Sequence, residues 1–274
     1  MLAQNTAMAR AASRIPNPVA GRNLVDYEQP LSERMRTFMR LEFLYQQLLY
    51  NSELEADWAT RAAVSGLLDI VAILTRGDVR SDVYKALDRQ VEALQRYKSE
   101  PAVDARRLDS LIRNLVEIRK AIDAMGPQFL QQLKDCEFLS AIKHRSTIPG
   151  GACEFDLPVY SHWLRQSYER RQQDLAEWMS SIRPVCDAVV ELLWLTRETS
   201  HPVKKLAING MYQYNVQKGA NCRMLRVSLP VGSLLYPEIS GSQHRFTIRF
   251  LEWSSVDRRA VQTGHDVAFQ LSIC

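Results

Sequence analysis

Cys153 and His162 are near neighbours in the chain, and a thiol beside an imidazole is the elementary pairing for nucleophilic catalysis. The cysteine lies in the run Thr147-Ile148-Pro149-Gly150-Gly151-Ala152-Cys153-Glu154-Phe155-Asp156-Leu157-Pro158. Its glycine pair would cradle a phosphate only if a Lys-Ser/Thr pair followed, and none does. Alternation predicts a short strand instead, with Cys153, Phe155 and Leu157 on one side and Glu154 and Asp156 on the other. On that reading Cys153 is a packing residue, and the two carboxylates are surface or turn groups without an acid–base partner. The histidines at 144, 162, 201, 244 and 265 have neither an HExxH arrangement nor other metal-ligand spacing. The expectation is a protein that is not an enzyme and takes no metal or cofactor. Five cysteines, an odd number with no CxxC pair, predict free thiols in a reducing cytoplasm.

Arginine offers a different chemistry. In Arg245-Phe246-Thr247-Ile248-Arg249-Phe250, the guanidiniums share one strand face and the apolar side chains share the other. Two such groups suit bidentate recognition of carboxylates, with Lys204, Lys205 and Arg226 expected beside them. The net charge is +4, but from Pro202 onward nine basic residues stand against four acidic ones. The positive field therefore belongs to the last quarter, and it predicts an anionic partner. Arg36 and Arg40 follow Ser32 at helical spacing on a face away from the apolar stripe. Lys143, His144 and Arg145 close a predicted helix, where cations complement the dipole.

The elements that must position these residues read as α+β: an N-terminal α-helical bundle domain plus a smaller, discontinuous antiparallel β domain. Residues 1–22 are small and polar, with Arg10 and Arg14 but no continuous apolar core, and read as a disordered leader without a secretory signal. No charge-free stretch is long enough to span a bilayer, so no membrane contact is expected. Residues 31–200 form the helical domain, interrupted by the strand segment near 148–158. Its stripes are Phe38, Leu41, Leu44/Tyr45 and Leu48; then Val64, Leu67, Leu68, Val71 and Leu74, stopped by Gly77; then Val83, Leu87, Val91, Leu94 and Tyr97, closed by Pro101. Asp104 is placed to cap a fourth helix carrying Leu108, Leu111, Ile112, Leu115, Ile118 and Ile122. A fifth runs over about 128–145, and a sixth over 160–199 breaks near Pro184. Residues 202–274 form the β domain, with strands at 204–214, 224–229, 245–253 and 267–274. Segments 23–29 and 148–158 are expected to join it.

Four blocks bring in a known family. The run Thr147–Pro158, the helix start Pro30-Leu31-Ser32-Glu33-Arg34-Met35-Arg36-Thr37-Phe38-Met39-Arg40-Leu41-Glu42-Phe43-Leu44, the turn Arg76-Gly77-Asp78-Val79-Arg80, and Leu235-Tyr236-Pro237-Glu238-Ile239-Ser240-Gly241 leading into Arg245–Phe250 resemble, in order and approximate spacing, the ZapD family of bacterial cell division. The resemblance implies a cytoplasmic homodimer at the midcell division site. It further implies binding to the C-terminal tail of FtsZ, lateral bundling of FtsZ protofilaments, stabilised Z-ring assembly and lowered FtsZ GTPase turnover. By motif it assigns partner binding to Arg245, Arg249, Arg76 and Arg40. Arg36, Lys143 and Arg145 join them as further candidates. Two positions depart from the family pattern: Glu137 stands where a basic residue is expected, and His162 is displaced from the register of Ser161. Lys143, Arg145 or Arg165 are expected to substitute there. The rival reading is an anion or single-stranded nucleic-acid module, with Tyr212, Tyr214 and Phe246 as stacking surfaces on the basic sheet. Nucleic acid is the less expected partner.

Overall fold

The computed structural model describes residues 23–100, 104–217 and 222–274, so the expectations for the leader and for Pro101 lie outside the described residues. The chain folds as α+β, a bundle of long helices followed by a smaller, discontinuous antiparallel β region. Its described residues divide into two compact units, one spanning Arg40–Leu192, the other gathering residues 23–39 with Leu193–Cys274.

The long helices are α1 (Glu33–Ser52), α2 (Asp57–Arg76), α3 (Val79–Arg96) and α4 (Ala105–Ala124). Each buries most of the stripe its spacing predicts: Phe38, Leu41, Tyr45 and Leu48; Val64, Leu67, Val71 and Leu74; Val83, Leu87, Val91 and Leu94; Leu108, Ile112, Leu115 and Ile122, while Leu44, Leu68, Leu111 and Ile118 lie at the stripe edges and are only partly buried. Tyr97 departs from its stripe and is exposed, because the chain tightens there into a 3-10 turn over Tyr97–Ser99. Ser32 Oγ accepts from Met35 N and Asp78 from Ser81 N, while Asp104 accepts from Arg106 N and Arg107 N. Gly77 stops α2 in extended conformation. By length and mean hydropathy α2 could cross a membrane. Half of its apolar window is buried inside the protein, however, as in the core helix of a bundle.

Two expected helices come in pieces. The fifth divides into α5 (Gln131–Asp135) and α6 (Glu137–Arg145) at Cys136, whose ψ of 102° is extended. The sixth becomes α7 (Pro158–Leu164), α8 (Tyr168–Ser180) and α9 (Arg183–Glu198). Ser167 caps α8 by accepting from Arg170 N, a break that the apolar pattern hides. Phe138, Tyr160, Trp163 and Trp178 join these pieces as one aromatic cluster, with ring centroids 5.4–6.0 Å apart.

The expected strand near 148–158 is absent, and the segment does not join a sheet. Its amides are engaged locally: Ile148 N donates to Arg145 O, Gly151 N to Ile148 O, Cys153 N to Gly150 O and Leu157 N to Cys153 O. Gly150 has φ +73°, and a Cβ on Gly151 would lie 2.3 Å from Arg145 O, so the glycines build a compact turn. Phe155, expected to face inward, is 86% exposed. Arg61 secures the loop by donating to Ala152 O at 2.9 Å while its guanidinium lies over the Tyr160 ring.

Among the described residues, eight strands form two sheets. Sheet A has the order β1 (Leu24–Pro30), β4 (Met224–Pro230), β8 (Val267–Ile273), β2 (Val203–Ala207). Sheet B has the order β3 (Met211–Asn215), β6 (Arg245–Glu252), β5 (Leu235–Gly241), with β7 (Val261–Gln262) also on β6. All pairings are antiparallel, with Tyr27 opposite Val227 and Tyr212 opposite Ile248. The strand expected over 204–214 is two strands in different sheets. Asn209 and Gly210, at φ 49° and 71°, turn the chain between them. β5 and β7 escape the alternation pattern, since β5 carries Pro237 and ends in glycine and β7 is two residues long. Leu225, Val227, Leu229, Phe246, Ile248, Phe250, Phe269 and Leu271 form the core of this unit.

Candidate functional site

Strand β6 alternates as predicted: Phe246, Ile248 and Phe250 are buried, and Arg245 and Arg249 are exposed. Both arginines lie on the outer face of sheet B. Register adds Met211, Gln213 and Asn215 from β3, and Glu238 and Ser240 from β5. Arg249 is directly opposite Glu238 and forms an ion pair with it, both side chains being half exposed. Arg245 Nη2 donates to Gln213 Oε1 at 3.3 Å and has no carboxylate partner among the described residues. The face therefore offers one arginine ready for an incoming carboxylate and a second held by an exposed, exchangeable pair.

The expected basic neighbours are not on this face. Lys204 and Lys205 belong to β2, and Arg226 to β4, both in sheet A. Alternation placed these side chains on strands, but pairing decided which sheet each strand joined. Arg226 is also neutralised: its Nε and Nη2 donate to Glu28 Oε1 at 3.1 and 3.0 Å. Arg197 donates to the same carboxylate through Nε and Nη2 at 2.9 Å each. Burial pushes the Glu28 carboxyl up, but the two guanidiniums outweigh it and hold the group below the usual carboxylate range. No local pattern in the sequence marks this cluster, since its members come from β1, α9 and β4.

The proposed stacking surfaces also face the wrong way. Phe246 is fully buried, Tyr214 packs on it at 5.4 Å, and Tyr212 meets Phe269 edge-on at 5.4 Å. The three expected aromatics therefore do not accompany the arginines; register places Tyr236 of β5 on the arginine face instead, opposite Leu251 and two residues from Glu238. Cys153 and His162 do not pair either: the thiol lies 3.5 Å from Asp156 Oδ2, and the imidazole lies against Gln166. All five cysteines are free. No group of three or more His, Cys, Asp or Glu among the described residues could hold a metal ion.

The other candidates occupy helix ends and surfaces. Arg40 is exposed on α1, while Arg36 is half-buried there and ion-paired with Glu33 one turn earlier. Arg76 is exposed in the last turn of α2. Lys143 and Arg145 share the last turn of α6, with Arg145 Nη1 3.5 Å from Asp156 Oδ1. Arg165, expected to compensate for the acidic Glu137, is held by Glu154 at 2.6 Å. Arg245 and Arg249 share one face, as do Lys143 and Arg145 one helix turn; Arg76 stands at a helix end of its own.

Comparison with known proteins matches a family model, ZapD, described as a cell division protein, to residues 39–249. A cell division protein ZapD of Methylococcus capsulatus (strain Bath) is 36% identical over 253 residues, 92% of this chain and 99% of that protein. Its counterpart in Janthinobacterium sp. (strain Marseille) is 35% identical over 251 residues, 92% of this chain and 99% of that protein. That of Yersinia pseudotuberculosis serotype O:1b is 36% identical over 248 residues, covering 90% and 96%. With a matching family model over most of its length and relatives matched nearly end to end, the chain belongs to the ZapD family of cell division proteins.

Proposed function

We propose that this protein acts in cytoplasmic cell division at midcell by binding the C-terminal tail of FtsZ and, as a homodimer, bundling FtsZ protofilaments. The observation that carries this reading is the open arginine face of β6, Arg245 and Arg249, in a chain of a cell division family. A short segment with carboxylates docks on such a face by charge-assisted hydrogen bonds, displacing Glu238 from Arg249. Because the tail orders as it binds, each contact is weak. A filament displays many tails, so a dimer with two sites gains by effective concentration what each site lacks. Bundling of this kind stabilises Z-ring assembly and lowers FtsZ GTPase turnover without chemistry on this chain. Arg76 and Arg40 are further candidates, while the ion pairs of Arg36 and Arg145 make those two weaker ones.

The experiment is co-sedimentation with GTP of FtsZ and of FtsZ lacking its tail. Pelleting enhanced only with the full-length partner supports the reading. Equal enhancement moves the contact to the filament body, and no enhancement at low salt removes FtsZ bundling as the function.

A further inference from the structure

The buried face of α1 is Phe38, Leu41, Tyr45 and Leu48. The opposite face carries a second pattern. Arg40, Phe43, Gln47, Tyr50 and Leu54 follow one another in alternating steps of three and four residues, the spacing of a helix–helix seam. Phe43 is 66% exposed, Tyr50 67% and Leu54 40%, an unusual display of large apolar groups along one helix line. The line runs past the helix end, because Glu53 N and Leu54 N still donate to Tyr50 O and Asn51 O at 3.3 Å.

Charge along this seam is polarised. Arg40 stands at its start, and Glu53 and Glu55 flank Leu54 at its end. All three are exposed, and none has a side-chain ion pair among the described residues. We propose that this face is where two copies of the chain pair, α1 against α1 in antiparallel fashion about a two-fold axis at Gln47. That register sets Phe43 near Tyr50 of the second copy and Arg40 against Leu54 of the second copy, between its Glu53 and Glu55. The same contacts repeat on the other side of the axis, as an isologous interface requires. A parallel pairing would set arginine against arginine and glutamate against glutamate. The charge pattern therefore selects a second copy in antiparallel orientation as the occupant.

This inference rests on the dimer invoked under the proposed function, but its test needs no FtsZ. Sedimentation equilibrium of the full chain should show a dimer, and Arg40→Glu and Glu53→Arg/Glu55→Arg should each weaken it at least tenfold. An equimolar mixture of the two variants should recover dimers at wild-type strength, since every reversed charge then meets its complement. Unfolding of a variant would not produce that recovery. Variants that dimerise like the wild type, or a mixture that stays dissociated, would overturn the proposal. So would a chain monomeric throughout, even if Phe43→Ser/Tyr50→Ser lost filament pelleting, because that result would give the face to the filament. The two readings fail separately. A dissociated Glu53→Arg/Glu55→Arg variant that binds an FtsZ tail peptide at wild-type affinity, yet does not bundle, supports both; one whose wild-type parent binds no tail peptide defeats only the functional proposal.

Discussion

Sheets A and B both present arginines on strand faces, yet the two faces are electrostatically opposite in use. On sheet A, Arg226 and the adjacent Arg197 close on Glu28, and Arg226 also approaches Asp26 at 3.9 Å. These side chains are largely buried, so their charges are spent inside the unit. On sheet B, Arg245 meets only the neutral Gln213, and Arg249 holds an exposed carboxylate. A count of basic residues along the chain treats all four alike. Desolvation and pairing decide which charges a partner can meet.

Removing the shared carboxylate should have the largest effect. Glu28→Gln leaves two guanidiniums largely buried without their counter-ion and is expected to cost about 3 kcal/mol in urea unfolding. Tail binding by the protein that remains folded should stay as in the wild type; a loss would show that the sheets do not divide support and binding as described. Second in size is the mirror experiment. Arg245→Glu with Arg249→Glu should reduce co-sedimentation with FtsZ at least tenfold, while unfolding stability moves by less than about 0.5 kcal/mol. Unchanged pelleting would remove the sheet B face from the functional proposal.

Acid titration separates buried carboxylates by what faces them. Glu28, held low by its arginines, contributes stability that is present above the usual carboxylate range and lost as pH falls through its lowered folded value. Asp187 in the helical unit has the opposite sign. Burial pushes it up to about 6, with Tyr45 Oη donating to it at 2.9 Å. Its folded state binds the proton more tightly than the unfolded chain, so stability falls as pH rises from about 4 to about 6 and is level above. Asp187→Asn should flatten that slope and raise stability at pH 7 by about 1–3 kcal/mol, read from urea midpoints across pH. A steeper slope in the variant would contradict the assignment. The smallest effect belongs to Glu238→Ala. Freeing Arg249 from an exposed pair should strengthen tail binding about two- to threefold and leave stability within about 0.5 kcal/mol.

Periodicity and family blocks carried far. The stripes of α1 to α4, the cap at Asp104 and the inside–outside order of β6 follow from local spacing and short-range hydrogen bonding, which a linear pattern encodes directly. The four blocks pointed to the family that the comparisons identify. The segment near 148–158 departs from the strand that its five alternating residues predict, because the glycines beside them consume the local amides in turns. The break at Ser167 stayed hidden inside continuous apolar spacing.

The sequence by itself determined the α+β class, the buried helix faces and the two outward arginines of β6. Each of these depends on residues close together in the chain. Only the tertiary structure decided that 204–214 divides between two sheets, that Lys204, Lys205 and Arg226 stand apart from Arg245, and that Glu238 faces Arg249. Strand order and register are set by which distant edges pair and what each face buries. Charge neutralisation follows from those pairings, so the arginine count could be read from the chain and the available arginine could not.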